Sequence, residues 1–140
     1  MEKLLNALRA KGYKMTPQRR AVAAALIKCG KFATAQQLLL QVKQTTPDVS
    51  LDTIYRNLSL FVKLGLVTEI HLPGREGNIF EVTTNQHHHH LVCINCGKTE
   101  CLDYCPISSH DLEKARERDF QIISHALEFY GYCRTCRTAG

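Results

Sequence analysis

His87-His88-His89-His90-Leu91-Val92-Cys93-Ile94-Asn95-Cys96-Gly97 places four imidazoles and two thiols in ten positions, and Cys133-Arg134-Thr135-Cys136 repeats the Cys-x-x-Cys spacing near the far end. A Cys-x-x-Cys pair followed by Gly makes a tight turn that aims two thiolates at one ion, with Gly relieving the backbone. Zinc takes four such ligands in a tetrahedron, so one pair implies a second. Cys93, Cys96, Cys133 and Cys136 are therefore expected to form one closed structural zinc site. The 36 residues between Cys96 and Cys133 exceed the usual ribbon spacing, so a small subdomain must fold in the gap. Dithiols or disulfides are the competing reading, which a reducing cytosol disfavours.

A chain of 140 residues can bury one ordinary core or two small ones. No apolar run is long enough to span a membrane, and Met1-Glu2-Lys3-Leu4-Leu5-Asn6 lacks a signal-peptide profile. A cytoplasmic protein is expected. Seven cysteines then point to metal or redox chemistry. The His run has chain on both sides and does not read as a purification tag.

Charge divides the chain. Residues 1–82 hold twelve Lys/Arg against six Asp/Glu, or +6, whereas residues 83–140 hold six against seven, or −1. Two domains are expected, residues 1–82 and 87–140, joined by a short polar hinge at 83–86. The basic half is the one suited to phosphates.

Periodicity in the first half predicts four helices. Leu4, Leu5 and Leu8 share one face before Gly12, and Thr16-Pro17 reads as an N-cap with proline at the first helical position. Thr34 and Gln37 form a capping box for a third helix, with Leu38, Leu39 and Val42 inward, and Thr45-Thr46-Pro47-Asp48 breaks it. Ser50 caps the fourth, residues 51–64, in which Leu51, Ile54, Leu58, Phe61 and Val62 face the core. Thr53, Tyr55, Arg56 and Asn57 remain on or beside its outer face. Arg can reach guanine O6/N7 and an aromatic ring a thymine methyl, although an ordinary solvated face gives the same pattern. Strands at residues 66–72 and 78–82 flank a turn at 73–77, and helices followed by a hairpin make a winged helix-turn-helix. Lys14, Arg19 and Arg20 would then sit on the DNA backbone.

In the second half, a strand over residues 87–93 would send His88 and His90 to one face and His87 and His89 to the other. One strand can thus feed two metal sites. A strand at 98–103 carries Thr99 and Cys101 on one face. Ser108 or Ser109 caps a helix over residues 111–119 with Leu112 and Ala115 inward, and a long strand is expected over 120–132. The fold class is α+β: a winged helix plus a small α/β unit suited to self-pairing, which would give a homodimer two DNA-reading heads.

Over nearly its whole length the chain resembles the ferric uptake regulator (Fur) superfamily. The segments carrying the likeness are Lys14-Met15-Thr16-Pro17-Gln18-Arg19, Thr53-Ile54-Tyr55-Arg56-Asn57-Leu58, residues 87–93, Cys96-Gly97-Lys98 and Tyr130-Gly131-Tyr132-Cys133-Arg134-Thr135-Cys136. The resemblance implies a dimeric, metal-dependent repressor that binds double-stranded operator DNA, without a membrane or small-molecule substrate. It also implies a sensing site at Glu81, His88 and His90.

Two departures bear on the metal. Phe32 stands where many iron and peroxide sensors place a His, and Cys101 stands where they place a carboxylate. Glu81, His88, His90 and Cys101 would make a four-coordinate site with one soft sulfur, which suits regulatory zinc. Cys105-Pro106 also looks like the zinc-responsive branch, Zur. A Cys that several zinc regulators carry near Val82 is absent, and Glu69 or His71 is the alternative ligand.

The second family site matches His87, His89 and His125. Its usual carboxylate falls at Ser108, leaving His110 or Asp111 as the alternatives. Cys29 reads as a core residue. The rival functions are an iron or peroxide sensor and a thiol switch using Cys101 and Cys105. A zinc hydrolase needs an open metal position and a general base, and no spacing places one, so the chain is read as a regulator rather than an enzyme.

Overall fold

Each helix of the first half starts where its cap dictates. The computed structural model describes residues 2–72, 77–83 and 87–139. Helix α1 spans Glu2–Ala10. Helix α2 spans Pro17–Lys28, and the Thr16 hydroxyl accepts the Arg19 N–H at 3.1 Å. Helix α3 spans Ala35–Lys43 behind the expected capping box: Gln37 N–H donates to Thr34 Oγ1 at 3.2 Å and Thr34 N–H to Gln37 Oε1 at 2.9 Å. Helix α4 spans Leu51–Lys63, with the Thr53 N–H on Ser50 Oγ at 3.2 Å. Past its end, Gly65 takes φ +75°, and the N–H groups of Gly65 and Leu66 return to Val62 O and Phe61 O at 3.0 and 2.9 Å. Only Gly takes that left-handed position at little cost, so the helix ends there.

These helices surround one core. Leu5, Leu8, Leu26, Leu38, Ile54, Leu58 and Phe61 are fully buried, each worth roughly 1.5–3 kcal/mol for a side chain of this size. Beside them lies an antiparallel sheet of β1 (Ala33–Thr34), β2 (Val67–Ile70) and β3 (Ile79–Val82), in the order β1-β3-β2. A strand of two residues has no alternation to detect, and Thr34 doubles as the α3 cap, so β1 was invisible to periodicity. The expected turn at 73–77 lies outside the described residues apart from Gly77.

The second half holds β4 (His89–Cys93), β5 (Thr99–Leu102), α5 (Ser109–Arg116), β6 (Glu128–Gly131) and α6 (Arg134–Ala139). Strand β4 is central, antiparallel to β5 and parallel to β6. The chain divides into two compact units, Met1–Thr83 and Thr84–Gly140. Of the expected hinge only Thr83 is described, and it is tied to the first unit through its N–H on Leu66 O at 2.9 Å. No helix among the described residues is long and apolar enough to cross a membrane.

Several expectations need correction. Strand β4 starts at His89, not His87, because β5 ends at Leu102, directly opposite His89. The long final strand is confined to Glu128–Gly131, since the parallel register with β4 begins at His90↔Glu128. Helix α5 stops at Arg116, short of Asp119, which takes φ +56°. Leu112 is exposed, not inward. Helix α6 had no sequence signal. Among the described residues of the second unit, the buried apolar side chains are Val92 and Cys93 alone. Two side chains are too few to hold a domain of this length alone, and small units of this kind need metals, disulfides or oligomerisation.

Candidate metal centres and nucleic-acid face

Cys93 ends β4, and the chain turns at once. Gly97 N–H donates to Cys93 O at 3.0 Å with Gly97 at φ +81°, and Lys98 N–H points at Cys96 Sγ at 3.4 Å. Cys133 immediately precedes α6, and Cys136 lies in its first turn. The four sulfurs lie within 4.8 Å of one another, and Cys96 Sγ is 3.7 Å from Cys133 Sγ. A zinc–sulfur bond near 2.3 Å sets the edge of a tetrahedron at about 3.8 Å, so the thiols already stand at ligand spacing. The N–H groups of Cys96, Cys133 and Asn95 hold the Cys93 thiol down at about 6. The Cys136 N–H and thiol lower Cys133 likewise. At Cys136 the Asn95 amide, donating at 3.2 Å, pulls downward, but the Cys133, Cys93 and Cys96 thiols with desolvation raise it to about 11. Packing thiols this closely favours only some of them as anions until a cation balances the charge.

The ladder builds the next cluster. His90 faces Cys101 directly in the antiparallel β4–β5 pair, so both project from one side of the sheet. His88, two residues earlier, stacks edge-on to His90 with ring centroids 4.9 Å apart. The ligand atoms of His88, His90 and Cys101 lie within 4.8 Å of one another. In the first unit, Glu81 sits on β3 opposite Thr68 and is 3 % exposed. Glu69 accepts from Asn78 Nδ2 at 3.2 Å, and neither Glu69 nor His71 joins a metal-type cluster among the described residues.

On the opposite side, His87, His89 and His125 meet Cys105, again within 4.8 Å. His87 Nε2 and His89 Nε2 each lie 3.2 Å from His125 Nε2. Cys105 Sγ lies 3.3 Å from both His89 Nε2 and His125 Nε2. Desolvation, then the charges of His89, His125 and His88, lower the His87 pKa, favouring the neutral imidazole a metal requires. Neither Ser108, His110 nor Asp111 joins this cluster: Asp111 Oδ2 accepts the Ser108 N–H and hydroxyl at 2.8 and 3.0 Å, capping α5. Cys101 and Cys105 belong to different clusters, which disfavours the thiol-switch reading that pairs them.

In the first unit, α4 presents its polar face as expected. Tyr55 is exposed, Arg56 is ion-paired with Asp52 one turn earlier, and Asn57 Nδ2 donates to Thr53 O at 2.9 Å. Lys14 and Arg20 are exposed. Arg19 is partly committed inward: its Nη1 donates to Lys14 O at 2.5 Å and its guanidinium lies 5.8 Å from the Tyr13 ring centre.

The ferric uptake regulator family profile matches residues 10–130. The chain belongs to this family. It is 36% identical over 133 residues to a ferric uptake regulation protein of Staphylococcus epidermidis, covering 95% of this chain and 93% of that one. It is 31% identical over 140 residues to the peroxide-responsive repressor PerR of the same organism, covering 100% and 92%. Among solved structures, the Vibrio cholerae ferric uptake regulator superposes with a TM-score of 0.72 at 32% identity, covering 91% of this chain and 98% of that one.

As a ferric uptake regulator family member, the chain is a metal-responsive regulator of transcription. Family regulators are DNA-binding dimers. Sequence reasoning missed Cys105 as the fourth member of its cluster. A signal was available: alternating His residues feed two faces, and residues 87–140 hold two thiols outside the Cys-x-x-Cys pairs, Cys101 within β5 and Cys105 three residues past its end.

Proposed function

We propose that this chain is a zinc-responsive repressor acting as a homodimer in the cytoplasm, on operators of zinc-uptake genes. The observation that carries the reading is the pairing of Cys101 with His90 across the β4–β5 ladder. It puts a sulfur donor among imidazoles, and that donor set suits zinc better than iron or manganese. Glu81 is proposed as the remaining ligand, so that metal links the DNA-reading unit to the dimerisation unit and favours one spacing of two winged helices. The metal can shift that balance only by its differential affinity; moving it from 1:99 to 99:1 requires a preference of about 10⁴-fold. Thr53, Tyr55, Arg56 and Asn57 are proposed as base-reading residues, and Lys14, Arg19 and Arg20 as phosphate contacts. The Cys93, Cys96, Cys133 and Cys136 site is proposed as structural zinc.

Iron or peroxide sensing is the second reading, favoured by the names of the two staphylococcal relatives, a ferric uptake regulation protein and a peroxide-responsive repressor. Anaerobic titration separates the two. Protein carrying only its four-thiolate zinc is loaded with Zn²⁺, Fe²⁺ or Mn²⁺ and bound to a duplex selected from a randomised pool. Zinc is expected to activate at the lowest free concentration. Activation by Fe²⁺ with loss on adding peroxide would establish the second reading instead.

A further inference from the structure

Helix α4 carries a single acidic residue, Asp52, and places it in the first turn. A carboxylate there repels the phosphates that flank any groove the helix enters. Asp52 does not stand alone. Its Oδ2 accepts from Nη2 of Arg56 one turn later, and the two side chains are 74 % and 77 % exposed. We propose that Asp52 is a specificity-determining residue: by holding Arg56 toward the N-terminal end of α4, it makes that guanidinium read guanine rather than grip phosphate. This rests on the assignment of Arg56 as a base reader, and not on which metal is sensed.

The direction of the side chain supports this. A long helical side chain lies over the turn that precedes its own Cα, so Arg56 leans toward Asp52 and the ion pair fixes it there. In helix-turn-helix domains the N-terminal residues of the second helix meet the base edges. Arginine carries five N–H donors in a rigid fork. One of them is committed to Asp52, and the remaining four suffice for the paired donation to guanine O6 and N7. Asn57 cannot replace Asp52 as the anchor, because its Nδ2 donates to Thr53 O at 2.9 Å.

Energetics point the same way. An exposed ion pair at this spacing is weak in water and screened by salt, so it adds little to the stability of the free chain. It strengthens where a groove expels the surrounding water. Without the carboxylate, a guanidinium on its flexible stem swings to the nearest phosphate oxygen, which adds affinity and carries no sequence information. A negative charge on the reading helix thus exchanges general affinity for discrimination. An acidic first turn also favours any helix through its dipole, but that contribution is indifferent to Arg56.

Binding of the zinc-loaded full chain to a duplex selected from a randomised pool, to its single-base variants and to unrelated DNA, at several salt concentrations, tests the proposal. Asp52→Asn should bind unrelated DNA more tightly and steepen the salt slope by roughly one. It should also lower the preference for guanine at one position by at least about 2-fold, the smallest coupling usual for residues in contact. Asp52→Glu, which keeps the charge, should retain the preference. Arg56→Ala should lower it by roughly 5–150-fold, and adding Asp52→Asn to that variant should change it no further.

Unchanged preference in Asp52→Asn, with the loss in Arg56→Ala intact, would overturn the proposal and leave the base-reading assignment standing. A loss from Asp52→Asn that persists in the Arg56→Ala background would make Asp52 a base contact in its own right, accepting from cytosine N4, and would overturn the positioning role. No change of preference in Arg56→Ala would overturn the base-reading assignment and this inference with it.

Discussion

Cys101 lies directly opposite His90 in the β4–β5 ladder, so a one-residue slip of either strand would send one of them to the far face. In the zinc-responsive reading proposed above, metal selectivity would be tied to strand register, and that reading rests on a backbone pairing rather than on loop geometry.

Replacing that thiol is the sharpest test of the pairing. Cys101→Ser should weaken regulatory zinc by more than the 10–100-fold typical of disturbing a ligand's support, while the four-thiolate zinc stays bound. Competition against a chromophoric chelator reads both affinities at once. Equal zinc affinity in the variant would remove Cys101 from the ligand set.

Stability should divide between the units. The first has an extended apolar core around Leu8, Leu38 and Phe61, whereas the second buries Val92 and Cys93 alone among its described apolar residues. Structural zinc contributes on the order of 10–16 kcal/mol in comparable small folds at neutral pH. Cys96→Ala, or strong chelation, should thus unfold residues 84–140 and leave residues 1–83 cooperative. Hydrogen exchange resolved by segment would show it; protection retained across β4–β6 would contradict it.

Acid should release the structural zinc late. The Cys93 pKa is lowered from the ordinary thiol value of 9.0 to about 6. For a depressed pKa, the stabilising contribution is complete above the unfolded value and is lost as pH falls through the folded one. Zinc release is therefore expected to accelerate as pH drops through about 6, followed by a metal indicator across a pH series. Cys136, raised to about 11, already competes for protons above neutrality, so Cys93 is read from the added steepening below about 6; no steepening there would show that the N–H groups around Cys93 do not stabilise its thiolate.

DNA contacts separate by type. Tyr55→Ala and Arg56→Ala should each cost about 1–3 kcal/mol against the preferred duplex and relax sequence preference. Lys14→Ala should weaken binding to all duplexes alike and reduce the salt slope by roughly one. Zinc content should not change in any of the three, and binding isotherms at several salt concentrations distinguish the outcomes.

Much of this was legible because local signals agreed with the fold. The caps at Thr16, Thr34 and Ser50 fixed three helix starts, and the apolar spacing of Ile54, Leu58 and Phe61 identified the buried face of α4. The Cys-x-x-Cys pairs announced their own cluster, and the alternation of four His residues foretold two more faces. What escaped depended on distant partners. Alternation over residues 120–132 looked like one strand, but a strand exists only where a neighbour offers its backbone, and β4 does so from Glu128 onward. Cys105 escaped for a related reason: nothing local says that a thiol beyond a strand end will meet an imidazole twenty residues later in the chain.

The central claim is that a removable ion, added to a chain already holding its four-thiolate zinc, switches DNA binding on. Fluorescence anisotropy of a selected duplex, with this protein before and after stepwise zinc addition under anaerobic buffer, tests it most directly. Tight binding should appear only after the added zinc and vanish when that zinc alone is chelated. Equal affinity at every stage of loading would contradict the claim.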